Sequence, residues 1–291
     1  SKGTAAPRYG SKRYIDQAIS TFPVRGLYRA YYSTGSTVYK ATLMINNGKV
    51  YIDTTTTATG HIWVEKKSGL NKNQNYEFRQ YANLVLIAGD SLDNPILRYD
   101  VQLNSVTEHL TSASPVQLTA KRHILSKNYY LAGNIKETTA GTTYYNARVH
   151  YSLLIGTAPY TINMSSMTVF RWFETFPDGE EITGMGEIDN VHIFKPSSIF
   201  QLEFDILNLG SQGGDQSFSK VVQGFGCIAP KTLVSNGKFY TFLSKDGVRI
   251  YDPTGRLTAS DETKVISLPI NPIIKRILES GTFKNANAIY Y

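Results

Sequence analysis

The sequence predicts an all-β protein, a β-propeller built from repeated antiparallel blades with one short helix near the C-terminal end. The chain is rich in Tyr (20) and Phe (13), which are enriched in strands. A strand–turn–strand pattern also recurs, with gaps of 34, 45, 62 and 48 residues between copies, which imperfectly match the roughly 40–50-residue spacing of propeller blades. Some of its strands carry bulk on both faces, as inner blade strands do. We expect one propeller domain over residues 1–291, and the missing initial Met and the ending NAIYY favour a fragment of a longer chain.

The repeated unit is a hairpin of two apolar strands around a turn. Its turns are predicted at Asn94-Pro95, Pro196-Ser197 and Asp246-Gly247, dipeptides typical of turns and hairpins. We count about five blade-like units and leave open a sixth formed by joining the two ends of the chain. The first strands of the copies begin at Val50, Leu84, Tyr129, Val191 and Phe239.

The copy over residues 237–252 is the clearest. Phe239 to Leu243 has bulk on both faces and is expected to pack between blades. Asp246-Gly247 is expected to form the turn, because both residues tolerate positive φ. Near the end of the chain, "NPIIKRILES" (271–280) has apolar residues at helical spacing. Asn271 is the predicted cap and Pro272 the first helical residue, whereas residues 11–20 are ambiguous.

The composition excludes several classes of protein. Hydrophobic residues make up 41% and charged residues 18%, which permits a sizeable core and argues against disorder. The net charge of +7 fits nucleic acid, a membrane surface or an acidic partner, and equally ordinary solubility. Cys227 is the single cysteine, so a disulfide within the chain is excluded, and we expect a small buried residue. No apolar stretch approaches the roughly 18 residues of a membrane span.

One set of residues imitates a hydrolase site. Gly89-Asp90-Ser91-Leu92 spells the GDSL box, and Asp189 and His192 would complete a Ser-His-Asp triad. However, Ser91 lies in a hairpin connection and His192 in an apolar strand, so we favour structural roles for both. The five histidines form no metal-ligand spacing. We therefore predict no catalytic, cofactor-binding or metal-binding residues, no cofactor and no enzyme activity.

Aromatic residues leave a binding function open. Aromatic rings stack on sugars or bases when they are exposed, although most aromatics here fit strand positions in the core. An exposed cluster at one end of the propeller would favour glycan binding. The candidates are Tyr28, Tyr31, Tyr32, Tyr144 and Tyr145.

Several stretches, in this order, resemble the β-propeller virion proteins of tailed bacteriophages, of the packaged-DNA stabilisation, tail tubular or tail nozzle type. They are "PRYGSKRY", "GLYRAYY", "YANLVLIAGD", "VHYS", "EITGMGEIDNVHIFKPSSIFQLEFD", "GFGCIAPKTLVSNGKFYTFLSKDGVRIYD" and "ISLPINPIIKRI". The resemblance implies a structural protein of the virion neck or tail, made in the bacterial cytoplasm. It would form a homo-oligomeric ring around the DNA exit channel.

The partners that this resemblance implies are the adaptor or portal side of the neck and the tail fibre or tail-tip proteins. The basic charge would add non-specific contact with DNA in the channel. The alternative function is a receptor-binding or glycan-binding propeller at the tail tip. A hydrolase that uses Ser91 ranks third.

Overall fold

The computed structural model describes residues 19–55, 62–109, 117–138, 141–152, 155, 172–175, 179–203, 217–254 and 263–288. Within these ranges the strands form five four-stranded antiparallel sheets, and one short α-helix follows the last sheet. Each sheet is an up-and-down meander, because strands adjacent in sequence are adjacent in the sheet. The predicted all-β fold of repeated blades is confirmed.

The strands of each sheet follow one another directly along the chain. The first sheet contains β1 (Val24–Thr34), β2 (Thr37–Asn46), β3 (Lys49–Asp53) and β4 (Val64–Lys67). The second contains β5 (Tyr76–Tyr81), β6 (Leu84–Gly89), β7 (Leu97–Asp100) and β8 (Ser105–Glu108). The third contains β9 (Gln117–Ser126), β10 (Tyr129–Thr138), β11 (Thr142–Tyr151) and β12 (Trp172–Glu174).

The last two sheets have the same plan. The fourth contains β13 (Gly184–Ile188), β14 (Asn190–Phe194), β15 (Ser198–Glu203) and β16 (Ser217–Gln223). The fifth contains β17 (Val234–Ser235), β18 (Tyr240–Ser244), β19 (Gly247–Tyr251) and β20 (Thr263–Val265). Helix α1 (Asn271–Glu279) packs near β19. No helix in the described ranges has the length and apolar character that a membrane crossing needs.

Consecutive sheets pack face to face. Four clusters of buried side chains join the first sheet to the second, the second to the third, the third to the fourth and the fourth to the fifth. Among the described residues, no such cluster joins the fifth sheet to the first. The first sheet accordingly leaves Leu27 and Tyr31 64% and 55% exposed. The sheets therefore pack as a series of blades with an uncovered face on the first.

The first strands of the first four blades contact one another in turn, on the inside of this series. β1 contacts β5, β5 contacts β9, and β9 contacts β13. β4 and β8, the last strands of the first two sheets, also contact each other. We refer to the line along which the first strands converge as the axis.

The repeat prediction is correct for four copies and wrong in register for the first. Leu84, Tyr129 and Val191 lie in the second strands of their sheets, and Phe239 immediately precedes one, but Val50 lies in the third strand of the first sheet. The matching second strand, β2, begins at Thr37. The first half of β2 is largely exposed, so its hydrophobic pattern is weak. The more buried β3 has the stronger strand pattern, which explains why the prediction falls on Val50.

The hairpin of the fifth sheet also differs from the prediction in its turn. Tyr240 and Phe242 pack between the fourth and fifth sheets as expected. However, Ser244 pairs with Gly247, so the two loop residues are Lys245 and Asp246 rather than Asp246 and Gly247. The predicted turns at Asn94-Pro95 and Pro196-Ser197 do fall between strands of their sheets.

The predicted C-terminal helix is confirmed, but its cap is not. The residue at the N-cap is Ile270, and Asn271 is the first helical residue, with Pro272 in the first turn. The Asn271 side-chain oxygen instead accepts a hydrogen bond of 2.5 Å from the Ser267 hydroxyl. This bond ties the start of the helix to the segment that follows β20. Of the ambiguous segment 11–20, residues 11–18 lie outside the described residues.

Replacing Gly247 with Val should lower the free energy of unfolding by about 2 kcal/mol. Gly247 has a φ of +142°, and an added Cβ would lie 2.5 Å from the Ser267 Oγ and 2.8 Å from the Asn271 Oδ1. Urea unfolding followed by Trp fluorescence measures the loss. Gly141→Val is the control, because a Cβ at Gly141 meets nothing within 4 Å. Equal stability of the two variants would contradict the role given to Gly247.

Candidate functional site

The residues of the imitated triad do not come together, because Ser91 belongs to the second blade whereas Asp189 and His192 belong to the fourth. Ser91 follows β6 of the second sheet, and its hydroxyl hydrogen-bonds to Gln74 and, at 2.7 Å, to Asp93. His192 lies in β14 of the fourth sheet and is buried, with its Nδ1 3.3 Å from the Tyr240 hydroxyl. Burial lowers the pKa of His192 to about 4. Ser91 thus bonds within its own blade, whereas His192 contributes to the packing of the fourth sheet against the fifth.

Cys227 and the candidate aromatics are likewise distributed over the fold. Burial raises the pKa of the Cys227 thiol to about 12, so this thiol stays protonated near neutral pH. Tyr31 and Tyr144 are exposed, but they belong to the first and third sheets. Tyr28 stacks on Phe78 with ring centroids 5.4 Å apart. Tyr32 and Tyr145 are also partly buried against hydrophobic clusters.

A different set of side chains comes together on the axis. Each of the five sheets brings one charged residue there, from its first strand or from the segment directly before that strand, and the second sheet adds Asp90 after β6. These residues line two cavities of about 370 and 500 Å³ that share Asp90 and Lys231. We call this set the axial cluster: Arg25, Glu77, Asp90, Arg122, Glu181 and Lys231.

Arg122 is the most buried member of the axial cluster, at 7% exposure. It lies in β9, and its Nη1 donates to Glu77 of β5 at 2.9 Å and to the Lys121 carbonyl at 3.2 Å. Its Nε is buried and has no hydrogen-bond partner among the described residues. Arg122 therefore joins the second and third sheets and keeps one unused donor in a cavity wall.

Glu181 is placed on the axis by a bulge in the third sheet. The register of β10 shifts between Gly133 and Ile135, and Asn134 adopts a φ of +58°, a region that Asn tolerates better than most residues. The Asn134 Nδ2 donates to Glu181 at 2.9 Å, and Lys121 pairs with Glu181 at 2.7 Å. Burial acts to raise the pKa of Glu181, but these two hydrogen bonds and the positive charges of Lys121 and Arg122 together outweigh it, and the pKa is lowered.

Asp90 is fixed by the residue that precedes β5. The Asn75 backbone amide donates to one Asp90 oxygen at 3.0 Å, and the Asn75 Nδ2 donates to the other at 2.8 Å. The Asp90 amide returns a hydrogen bond of 2.9 Å to the Asn75 carbonyl. A carboxylate has about four acceptor sites, so Asp90 still has capacity to accept hydrogen bonds from the cavity.

Lys231 lies in a turn of 3₁₀ helix (Pro230–Thr232) before β17. Burial lowers the pKa of the Lys231 ammonium. The Asp90 carboxylate opposes this shift, the guanidinium groups of Arg25 and Arg122 add to it, and Glu77 opposes it. The Lys231 carbonyl accepts a 3.0 Å bond from the Ala288 amide, which brings the end of the described chain to the cavities.

A larger groove of about 770 Å³ lies on the uncovered face of the first sheet and adjoins the smaller axial cavity, with which it shares Val24 and Leu27. Its walls are mainly apolar and include Phe22, Leu27 and Met44. Apolar walls of this kind are typical of a sheet face that packs against another sheet, and they are less suited to a polar ligand. Within the described ranges, no group of three His, Cys, Asp or Glu side chains is placed to hold a metal ion.

The sequence predicted no site residues, and the axial cluster was missed. Its members are far apart in the chain; Arg122 and Glu77, for example, are separated by 45 positions. The available signal was local. Lys121 and Arg122 are adjacent charged residues inside the strand "QLTAKRHILS", and charges inside a buried strand call for partners from another blade.

Comparison with known proteins identifies no family for this chain. No family model matches it, and no curated protein matches it. Among solved structures it is similar to the extracellular domain of the one-component system BT4673 from B. thetaiotaomicron, with 11% identity and a TM-score of 0.49 over 90% of this chain. It is also similar to the extracellular domain of the hybrid two-component system BT3049 from the same organism, with 11% identity and a TM-score of 0.34 over 84% of this chain.

These comparisons overturn the phage assignment. The structural neighbours found are domains of bacterial sensor systems, so the predictions of a tailed-phage family, a neck or tail structural role and a virion location are wrong. The chain spans about a third of the length of these neighbours, 30% and 35% respectively. The predicted homo-oligomeric ring and the contact with DNA are tested by neither comparison and stay predictions.

Proposed function

We propose that this chain is a non-enzymatic binding module that holds a small polyhydroxylated ligand, of the saccharide class, in the two axial cavities. The observation that carries the proposal is the axial cluster. All five blades bring a charged side chain to cavities within the roughly 300–1,000 Å³ range of ligand pockets. Such a convergence supplies both donors and acceptors, which a ligand rich in hydroxyl groups requires.

The walls of the cavities suit a sugar ring in a second way. Tyr76 lines the smaller cavity and Phe283 the larger one. Aromatic rings present an apolar face of fixed shape, on which the C–H face of a sugar ring can pack. The polar groups would then orient the ligand, while the aromatic groups contribute most of the buried apolar area.

The absence of turnover is part of the proposal. Among the described residues, Thr183 is the one hydroxyl-bearing side chain of the larger axial cavity, and its Oγ1 donates to the carbonyls of Phe194 and Cys227. The Glu77 and Glu181 carboxylates are engaged with Arg122 and Lys121. These contacts favour a fixed recognition surface over a nucleophile with its base.

Lys231→Trp should remove binding, because the indole ring would occupy the part shared by the two cavities. Wild-type protein and variant are screened on an array of neutral and acidic saccharides, and hits are titrated by calorimetry. Lys238→Trp is the matched control, since Lys238 is an exposed turn residue of the same sheet. Unchanged binding by Lys231→Trp would place the site elsewhere. Release of shorter sugars during incubation would contradict the non-enzymatic part.

A further inference from the structure

The charged side chains on the axis are not all paired with one another. The Arg122 and Glu77 side chains form one ion pair at 2.9 Å, and the Lys121 and Glu181 side chains form another at 2.7 Å. Three charged groups of the axial cluster remain: the cations of Arg25 and Lys231 and the anion of Asp90. The residues that line the cavities carry three positive and three negative charges, so the two unpaired cations share Asp90 as the one unpaired anion of the cluster.

The two cations have unused bonding capacity. Across the described parts of the chain, neither Arg25 nor Lys231 has an ion-pair partner, and the Arg25 Nε is buried without a hydrogen bond. The Arg122 Nε, nine-tenths buried in the same cavity wall, is equally unpartnered. Buried donors without partners cost free energy, so an acceptor that reached them would be strongly favoured.

Like charges also act on one another here. Burial lowers the pKa of Lys231, and the Asp90 carboxylate opposes this shift. The nearby Arg25 and Arg122 guanidinium groups lower the pKa further. An anion bound between these groups would replace repulsion by attraction and would favour the charged form of Lys231. The arrangement is therefore complementary to an anionic group on the ligand.

On the basis of the proposed function, we infer that the axial cavities recognise an acidic saccharide whose sugar carboxylate is bound by Arg25 and Lys231. The Asp90 carboxylate favours a singly charged anion over a doubly charged one. It lines both cavities and would repel a doubly charged phosphate. A singly charged carboxylate beside hydroxyl groups matches all three residues, because the hydroxyls donate to Asp90 while the carboxylate accepts from the two cations.

The test compares trigalacturonate with its fully methyl-esterified form, which keeps the ring hydroxyls but removes the charge. Calorimetric titration should give an affinity at least about tenfold higher for the acid, the worth of a charged hydrogen bond. The preference should shrink as NaCl is raised, because salt screens the attraction. Lys231→Met and Arg25→Met should each lose about tenfold for the acid, and Lys231→Arg should retain most of the binding.

The outcomes separate the two proposals. Equal affinity for acid and ester would overturn the recognition of the carboxylate and leave saccharide binding in place. If Lys231→Met and Arg25→Met bound the acid as tightly as the wild type and melted at the same temperature, recognition of the carboxylate would also be overturned. Binding of neither these ligands nor any neutral sugar of the array would refute the proposed function together with the inference. Lys238→Met, on the exposed turn, controls for a general loss of positive charge.

Discussion

Replacing Phe194 with Ala is expected to lower the free energy of unfolding by about 3–5 kcal/mol. Phe194 is fully buried between the fourth and fifth sheets. Its ring centroid lies 5.1 Å from that of Tyr240, 5.4 Å from that of Phe242 and 6.4 Å from that of Tyr251. Truncation removes the side chain that these three rings surround, and the cavity left behind adds to the lost burial.

Urea unfolding followed by fluorescence measures this loss. Tyr144→Ala is the control, because Tyr144 is 60% exposed and its truncation should cost less than about 1 kcal/mol. A cost for Phe194→Ala as small as that of the control would mean that the two sheets do not pack face to face. The result therefore tests the arrangement of the blades as well as one side chain.

Replacing Gly226 with Ala is expected to cost about 3 kcal/mol or more, although only one methyl group is added. Gly226 lies after β16 and backs onto the turn between β14 and β15. The added Cβ would lie 1.9 Å from the Lys195 carbonyl oxygen and 2.9 Å from the Ser198 amide nitrogen. Both obstacles are backbone atoms, so relief requires the turn itself to move and its 2.9 Å bond from the Lys195 amide to the Ser198 carbonyl to distort.

The control for this variant is Gly141→Ala, which places its methyl group in open space and should change the stability by no more than about 0.5 kcal/mol. Thermal and urea unfolding of both variants are compared with the wild type. If Gly226→Ala unfolded at the same temperature and urea concentration as Gly141→Ala, the close approach of Gly226 to the backbone of this turn would be refuted.

The fold could be predicted from the sequence because its signals are local. The hairpin at Tyr240–Tyr251 and the helix at Asn271–Glu279 are both encoded by neighbouring residues, through bulky strands, a short turn and helical spacing. The register of the first blade was missed because half of β2 is exposed. Where the burial pattern weakens, a strand loses the alternation by which it is recognised.

The family resemblance failed for a related reason. Stretches such as "GKFYTFLSKDGVRIYD" consist of strand residues and turn residues that any propeller blade requires. Agreement in such residues reflects what a blade requires and does not indicate a function. A functional assignment has to depend on residues that the fold itself does not require.

The axial cluster could not be predicted because it depends on how separate blades meet. Glu77, Arg122 and Lys231 belong to three different sheets, and no spacing in the sequence relates them. The bulge at Asn134, which holds Glu181 in place, is a detail of backbone register that the sequence pattern does not reveal. Such a site becomes visible once the first strands are known to converge.

The most direct test of the central claim is a crystal structure of the protein with trigalacturonate. The account predicts the saccharide in the axial cavities, with a carboxylate between Arg25 and Lys231 and ring hydroxyls directed to Asp90. A saccharide bound instead in the apolar groove of the first sheet, beside Phe22 and Met44, with the axial cavities empty, would contradict the account.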